Sequence, residues 1–363
     1  MDRRRFIKKT GGALVAAGAA AGIAYAPSVI AQPKIQWRMS TTWTPALDVM
    51  QGSAQRLAKL VDEMSGGRFR IEVFAAGQLM PALACFDAAS KGTIEAFMGA
   101  SYYWAAKDPA VQWFTSVPFG MNPGGMATWY FHGDGLKLWE ETYAPFNLVP
   151  RPGPATGPQM AGWFKKKIST IADFKGLKMR IPGLGGQVIS RAGGTVVLTP
   201  GGEIYAALER GVIDATEWVG PHDDMKLGLH NTARFYHYPG WHEPATTLEF
   251  AFNKKAYDAL SVDLRRILDH AVTAVSVYGL SEYEAKNEIA LERLKTEFKG
   301  KIEIVPLPMA VLADLKKMAH EVIATESTKS PMAKKVHASF SKFQAQLGGW
   351  RHISEGAYHQ FVA

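Results

Sequence analysis

Strand and helix signals alternate along this chain from Ile35 onward, and that order sets the class of fold it can adopt. Ile35-Gln36-Trp37-Arg38-Met39 has the two-residue period of a strand. A turn from Thr41 to Pro45 leads into a segment whose Met50, Ala54, Leu57, Val61 and Met64 recur every three to four residues, until Gly66-Gly67 stops it. Phe69 to Phe74 reads as a second strand, a helix follows around Leu83 to Lys91, and Ile94 to Met98 is a third strand. Strand, helix, strand in repeated order predicts βαβ units on a largely parallel sheet.

The pattern is broken once. Pro150, Pro152, Pro154 and Pro158, with Gly153 and Gly157 between them, cannot continue a helix or a central strand, so this stretch reads as a crossover between domains. A second α/β run follows, through Ala161 to Phe164, Leu177 to Ile181, Thr195 to Leu198, a helix bearing Ile204, Ala207 and Leu208, and Val212 to Trp218. Leu248 to Phe252 is a strand that returns to the first domain. At 363 residues the chain exceeds the roughly 250–300 that one hydrophobic core serves. The expected fold is therefore a two-lobed α/β protein with an interdomain cleft. From Ser261, an expected N-cap, one helix runs to about Lys299 with Leu264, Ile267, Leu268, Ala271, Val275 and Tyr278 on its apolar face. At about 1.5 Å per residue it exceeds roughly 50 Å, long enough to bridge both lobes. The expected division is residues 1–31 as an export signal, 32–157 plus about 245–283 as lobe I, and 158–244 plus about 284–363 as lobe II with the C-terminal helices.

The formal charge of +8, from 41 Lys and Arg against 33 Asp and Glu, invites a nucleic-acid reading. Its location argues otherwise. Arg3, Arg4, Arg5, Lys8 and Lys9 precede the apolar, small-residue run Gly11 to Tyr25 and a small-x-small end at Ala31, the layout of a secretory signal cleaved after Ala31. The arginines also resemble a twin-arginine export pattern, with Asp2 where that pattern prefers Ser or Thr. An Ala- and Gly-dominated stretch is too weakly apolar to favour an anchor. Cleavage removes five basic side chains and one acidic one, which leaves +4 with no basic cluster beyond Lys165-Lys166-Lys167, a solvated strand end. Nucleic-acid binding loses its support. One cysteine, Cys85, excludes an internal disulfide and a Cys-based zinc site, and its apolar helical context marks it as a core residue.

H-E-x-x-H, G-x-S-x-G and Walker signatures are absent. Pro182-Gly183-Leu184-Gly185-Gly186 reads as a tight strand-to-helix turn. Arg180 ends the strand before that turn, where open α/β sheets face their ligand crevice, and a guanidinium there can grip a carboxylate bidentately. On position alone a surface ion pair fits Arg180 equally well. Glu217 and Trp218 end another strand, Glu243 lies on an aromatic, Pro-rich loop, and Gln159 sits near the crossover. Two carboxylates, an amide and a backbone carbonyl make a donor set for a hard cation, Na⁺ or Ca²⁺. His222, His230, His237 and His242 show no metal-ligand spacing, and Asp223-Asp224 reads as a cap on the helix through Met225 and Leu227.

Several segments together resemble one family: Tyr102-Tyr103-Trp104, Val117-Pro118-Phe119-Gly120, Gln159-Met160-Ala161-Gly162-Trp163-Phe164, Met179-Arg180-Ile181-Pro182, Glu217-Trp218-Val219-Gly220-Pro221 and Tyr238-Pro239-Gly240-Trp241. The chain resembles the DctP-type solute-binding subunits of TRAP (tripartite ATP-independent periplasmic) transporters, in the branch that binds 2-oxo acids or lactate with a cation. The resemblance spans the mature chain. It implies a periplasmic protein, not an enzyme, that binds a small monocarboxylate such as pyruvate or lactate and delivers it to membrane subunits. It also implies that Arg180 pairs with the substrate carboxylate, that Gln159, Glu217, the Trp218 carbonyl and Glu243 hold a Na⁺ or Ca²⁺ ion touching the substrate, and that Tyr103 and Trp43 close over the ligand. A homodimer through the C-terminal helices is a further implication. The alternative is an exported metal-dependent hydrolase or lyase with Glu217 or Glu243 as base.

Overall fold

The computed structural model describes residues 34–362; the export signal expected at residues 1–31 lies outside them. The strands in chain order are β1 (Ile35–Thr41), β2 (Phe69–Phe74), β3 (Ala96–Gly99), β4 (Leu148–Ala155), β5 (Gly162–Phe164), β6 (Lys178–Arg180), β7 (Thr195–Val197), β8 (Ala215–Thr216), β9 (Phe235–Tyr238), β10 (Thr247–Asn253) and β11 (Glu303–Pro306). They form two sheets, in the orders β2-β1-β3-β10-β4 and β11-β9-β5-β8-β6-β7. The two-lobed α/β class stands.

Largely parallel sheets were expected, and each sheet departs from that at the strand on which the chain arrives from the other. β1 is parallel to β2 and β3, but β10 is antiparallel to β3 and β4. β6 is parallel to β7 and β8, but β5 is antiparallel to β8 and β9. Short connections at 156–161 and 239–246 carry the chain between sheets. They cannot supply the long crossover that a parallel entry needs.

The proline-rich stretch was expected to exclude a helix or a central strand, and Pro150, Pro152 and Pro154 do lie in a strand, β4, but not a central one. β4 is an edge strand, paired with β10 alone. Alternate residues send their N–H to the same side, so Pro150 and Pro152, two apart where the register is regular, can both lack donors on the side that has no partner; beyond Pro152 the register shifts.

The long helix spans Val262–Glu297, 36 residues or about 54 Å. Ser261 holds the N-cap position, but its hydroxyl donates to Asp263 at 2.5 Å and makes no cap bond to the backbone. The helix packs on β4, on the Asp48–Met64 helix and on the short Pro221–Lys226 helix, so it touches elements beside both sheets. Its Gly279 lies against Pro154, where a Cβ would come 2.4 Å from the proline Cβ. The apolar clusters draw on both sheets: Trp37 and Trp163 share one, Phe97 and Met179 the other. Cys85 is fully buried in the second, as expected. Among the described residues no helix is long and apolar enough to cross a membrane.

Candidate functional site

β6 and β8 run parallel with Arg180 opposite Thr216, so the strand ends place Arg180 beside Glu217. The Glu217 N–H donates to the Arg180 carbonyl at 3.2 Å. The guanidinium is spread over three acceptors: Nε donates to the Thr199 carbonyl at 3.1 Å, and Nη1 to both the Glu217 carbonyl at 3.3 Å and Glu217 Oε1. Its carbon lies 5.0 Å from the Trp218 ring centroid. Arg180 is therefore not the surface ion pair that position alone allowed. It is 1% exposed, and Nη2 has no hydrogen-bond partner.

The two connections between sheets supply the other half. The Gln159 N–H donates to the Glu243 carbonyl at 3.2 Å, and the Gly240 N–H to the Gln159 carbonyl at 2.8 Å. Glycine is required at 240, since a Cβ there would sit 2.3 Å from that carbonyl oxygen. Gln159 Nε2 donates to the hydroxyls of Thr156 and Thr246 at 3.1 and 2.9 Å, which leaves Oε1 as a buried acceptor without a partner. Glu243 Oε2 accepts from the Tyr102 hydroxyl at 3.5 Å and from Thr246 Oγ1. Glu217 Oε2 is also without a hydrogen bond, and His242 Nε2 lies 3.5 Å from it. Glu217, His242 and Glu243 each offer a donor atom within 4.8 Å of the others, and all three are buried.

Met50, Tyr102, Tyr103, Thr156, Gln159, Arg180, Trp218, Val219, Thr246 and Leu248 line one cavity between these loops and β10. The space for the centre of a water-sized sphere is about 10 Å³, enough for about one water. A larger cleft of about 470 Å³ beside His222, Lys226, Lys286 and Arg293 is a surface feature. There Lys286 pairs with Asp48 and Arg293 with Glu297. The small cavity, with its unpartnered buried atoms, is the better candidate site.

Burial raises Glu217 and Glu243 to about 7; the Arg180 charge opposes the rise at Glu217, while the Glu217 charge adds to it at Glu243. Burial lowers His242 to about 4 and raises the Tyr103 hydroxyl to about 12. Two carboxylates facing one guanidinium leave an excess negative charge. A carboxylate ligand would add another, so the donor set fits a cation bound between Gln159 Oε1 and the two glutamates.

Of the residues singled out from the sequence, Tyr103, Gln159, Arg180 and Trp218 line this cavity, and Glu217 and Glu243 stand behind its wall, bonded to Arg180 and to Tyr102 and Thr246. Trp43 stands one layer back, edge-on to Tyr103 and Trp218 with centroids at 6.3 and 6.4 Å. Tyr102, Thr156, Thr246 and His242 were not singled out. His242 has no metal-ligand spacing to another histidine in the sequence; its neighbours in the fold are Glu217 and Glu243. Asp223 and Asp224 are not helix caps. Asp224 accepts from Trp163 Nε1, the Tyr236 hydroxyl and the Val219 N–H at 3.0, 2.7 and 3.1 Å, and Asp223 accepts from the Tyr283 hydroxyl at 2.8 Å. They hold the 218–224 segment against β5, β9 and the long helix.

Comparison with known proteins adds an independent line. Residues 39–329 match the family model DctP, bacterial extracellular solute-binding protein, family 7. A monocarboxylate 2-oxoacid-binding periplasmic protein of Nostoc sp. is 43% identical over 331 residues, 91% of this chain and 90% of that protein. A TRAP periplasmic solute-binding protein of Pseudoalteromonas atlantica, solved with bound sodium and pyruvate, is 38% identical with a TM-score of 0.88 over 91% of this chain and 100% of that one. A TRAP solute-binding protein of Bordetella bronchiseptica, described as a mixed-occupancy dimer with copurified calcium and picolinate in one active site, is 36% identical with a TM-score of 0.88 over 91% of this chain and 97% of that one.

Proposed function

This chain belongs to the DctP family, the periplasmic solute-binding subunits of TRAP transporters, and on that premise we propose that it binds a small 2-oxo monocarboxylate of the pyruvate class together with a metal cation. The family role is to bind a carboxylate and hand it to the membrane subunits, so the hydrolase or lyase alternative falls away. The observation that carries the ligand reading is that three residues of this site each keep a buried, unpartnered atom: Arg180 Nη2, a cationic donor, and Gln159 Oε1 and Glu217 Oε2, two oxygen acceptors. Buried polar atoms are otherwise almost always satisfied. Each of these finds its complement in a carboxylate or a cation.

In this reading Arg180 Nη2 takes the substrate carboxylate while its remaining donors stay fixed on Thr199 and Glu217. Gln159, Glu217, the Trp218 carbonyl and Glu243 hold the cation, Na⁺ or Ca²⁺, whose contribution is positive charge for the substrate oxygens. Tyr103 covers the ligand, and Trp43 supports Tyr103 and Trp218 from behind. Room for about one water does not admit a keto acid. Admission therefore requires the walls to part, and closure is the state the ligand favours. The hinged bodies are lobe I, 32–157 plus about 245–283, and lobe II, 158–244 plus about 284–363; the sheet crossings at 156–161 and 239–246 support that division. Residues 1–31 direct export as a twin-arginine-like signal. Two copies pair through the C-terminal helices, where Trp350, Ile353, Tyr358 and Phe361 are exposed.

The test is recovery. Protein loaded with isotopically labelled pyruvate in the presence of Ca²⁺ and then denatured is expected to release one equivalent of chemically unchanged pyruvate by mass spectrometry. Release of a converted product would overturn the reading.

A further inference from the structure

We propose that His242 is an additional, nitrogen donor of the cation cage, and that the cage is a divalent-metal site that accepts borderline cations such as Mn²⁺ and Zn²⁺ as well as hard ones. This rests on the reading of Gln159, Glu217 and Glu243 as cation ligands and extends it to a residue outside that oxygen set.

His242 is 1% exposed and neither ring nitrogen has a hydrogen-bond partner. A buried imidazole with two unused nitrogens is costly unless something occupies them. Nε2 is 3.5 Å from Glu217 Oε2 without forming a hydrogen bond. Adjacent donors at about 2.1–2.2 Å from one six-coordinate ion lie roughly 3.1 Å apart, so the observed pair can share an ion with a movement of about 0.4 Å. The ring is held in place on two sides. Trp241 meets it edge-on at 5.4 Å between centroids, and Gly185 packs beneath it, where a Cβ would come 2.8 Å from the His242 Cβ. Gly185 thus makes room for the His242 side chain.

The charge count favours a divalent ion. With a cation bound and both glutamates held ionised by it, Arg180 brings one positive charge, and Glu217, Glu243 and a bound monocarboxylate bring three negative ones. A divalent cation neutralises this buried set, whereas a monovalent one leaves it negative. Oxygen donors alone suit Ca²⁺, and an imidazole extends the range to first-row divalent metals.

The experiment uses the full chain, freed of metal by a chelator and given one equivalent of Mn²⁺ with pyruvate. Pulsed EPR is expected to show nitrogen coupling from a directly bound imidazole, replaced by the ¹⁵N pattern when histidine is ¹⁵N-labelled and lost in His242→Gln. Calorimetry should show Mn²⁺ affinity falling at least about tenfold in His242→Gln, with a smaller loss for Ca²⁺. Absence of nitrogen coupling in the wild-type protein, or its persistence in His242→Gln, overturns the proposal and leaves the oxygen cage standing. The isotope arm needs no substitution, so it decides the matter even if the variant folds poorly. Unchanged affinity for both cations in Glu217→Gln would instead overturn the cage itself.

Discussion

Replacing Arg180 with methionine separates its two roles, binding a ligand and neutralising Glu217. Glu217 is fully buried, and Arg180 is its ion-pair partner through Nη1. Removing one partner of a buried pair strands the other, at a cost of about 3–5 kcal/mol. For roughly 330 ordered residues, the unfolding entropy converts this to about 1.5 °C per kcal/mol, a fall in Tm of about 4–7 °C. The ligand loses a charge-assisted hydrogen bond to Nη2, about 1.5–3 kcal/mol, or about 10- to 150-fold in Kd. The double variant Arg180→Met with Glu217→Gln removes the stranded charge. It should recover most of the melting temperature while pyruvate binding, measured by calorimetry with Ca²⁺ present, stays lost. Equal melting temperatures for the single and double variants would show that the stranded carboxylate is not the source of the instability, and an unchanged Kd in Arg180→Met would remove Arg180 from the site.

Two further outcomes test the fold that carries the site. Burial pushes Glu249 from 4.5 up to about 8, so between those pH values the native state holds a proton that the unfolded chain has released. Stability from this group is complete below pH 4.5 and falls as pH rises through 8, by up to about 5 kcal/mol; Glu249→Gln should flatten that part of the profile in urea denaturation, and an unchanged slope would refute the assignment. Gly279→Ala places a Cβ 2.4 Å from that of Pro154 and should cost about 1–3 kcal/mol where the long helix meets β4. Gly348→Ala, with nothing within 4 Å, should stabilise by about 0.5–1 kcal/mol; equal effects at the two sites would contradict the close packing at 279.

The parts of the fold legible in the sequence are those that local pattern determines. β1, β2 and the long helix announce themselves by period, and Arg180 and Glu217 by standing at the ends of strands. Other features depend on partners distant in the chain. Pro150, Pro152 and Pro154 exclude a central strand, but only the sheet order shows that they lie along an edge. Asp223-Asp224 before a helix has the local chemistry of a cap, yet Trp163, Tyr236 and Tyr283 capture both carboxylates from other elements. The helix Pro123–His132 escapes a reading by period because Trp129, Tyr130 and Phe131 occur consecutively and blur its apolar face, whereas Gly135–Tyr143 buries Leu138, Trp139, Thr142 and Tyr143 at helical spacing and was legible. His242 is hidden for a similar reason, since its partner Glu217 lies on a different strand end.

The central claim is that one buried cavity holds a 2-oxo acid only together with a cation. Calorimetric titration of metal-free protein with pyruvate, repeated with Ca²⁺ and with Na⁺, tests it most directly. The account predicts one-to-one binding that appears when the cation is supplied and is lost on chelation. Pyruvate binding of equal affinity in the absence of any cation would contradict it.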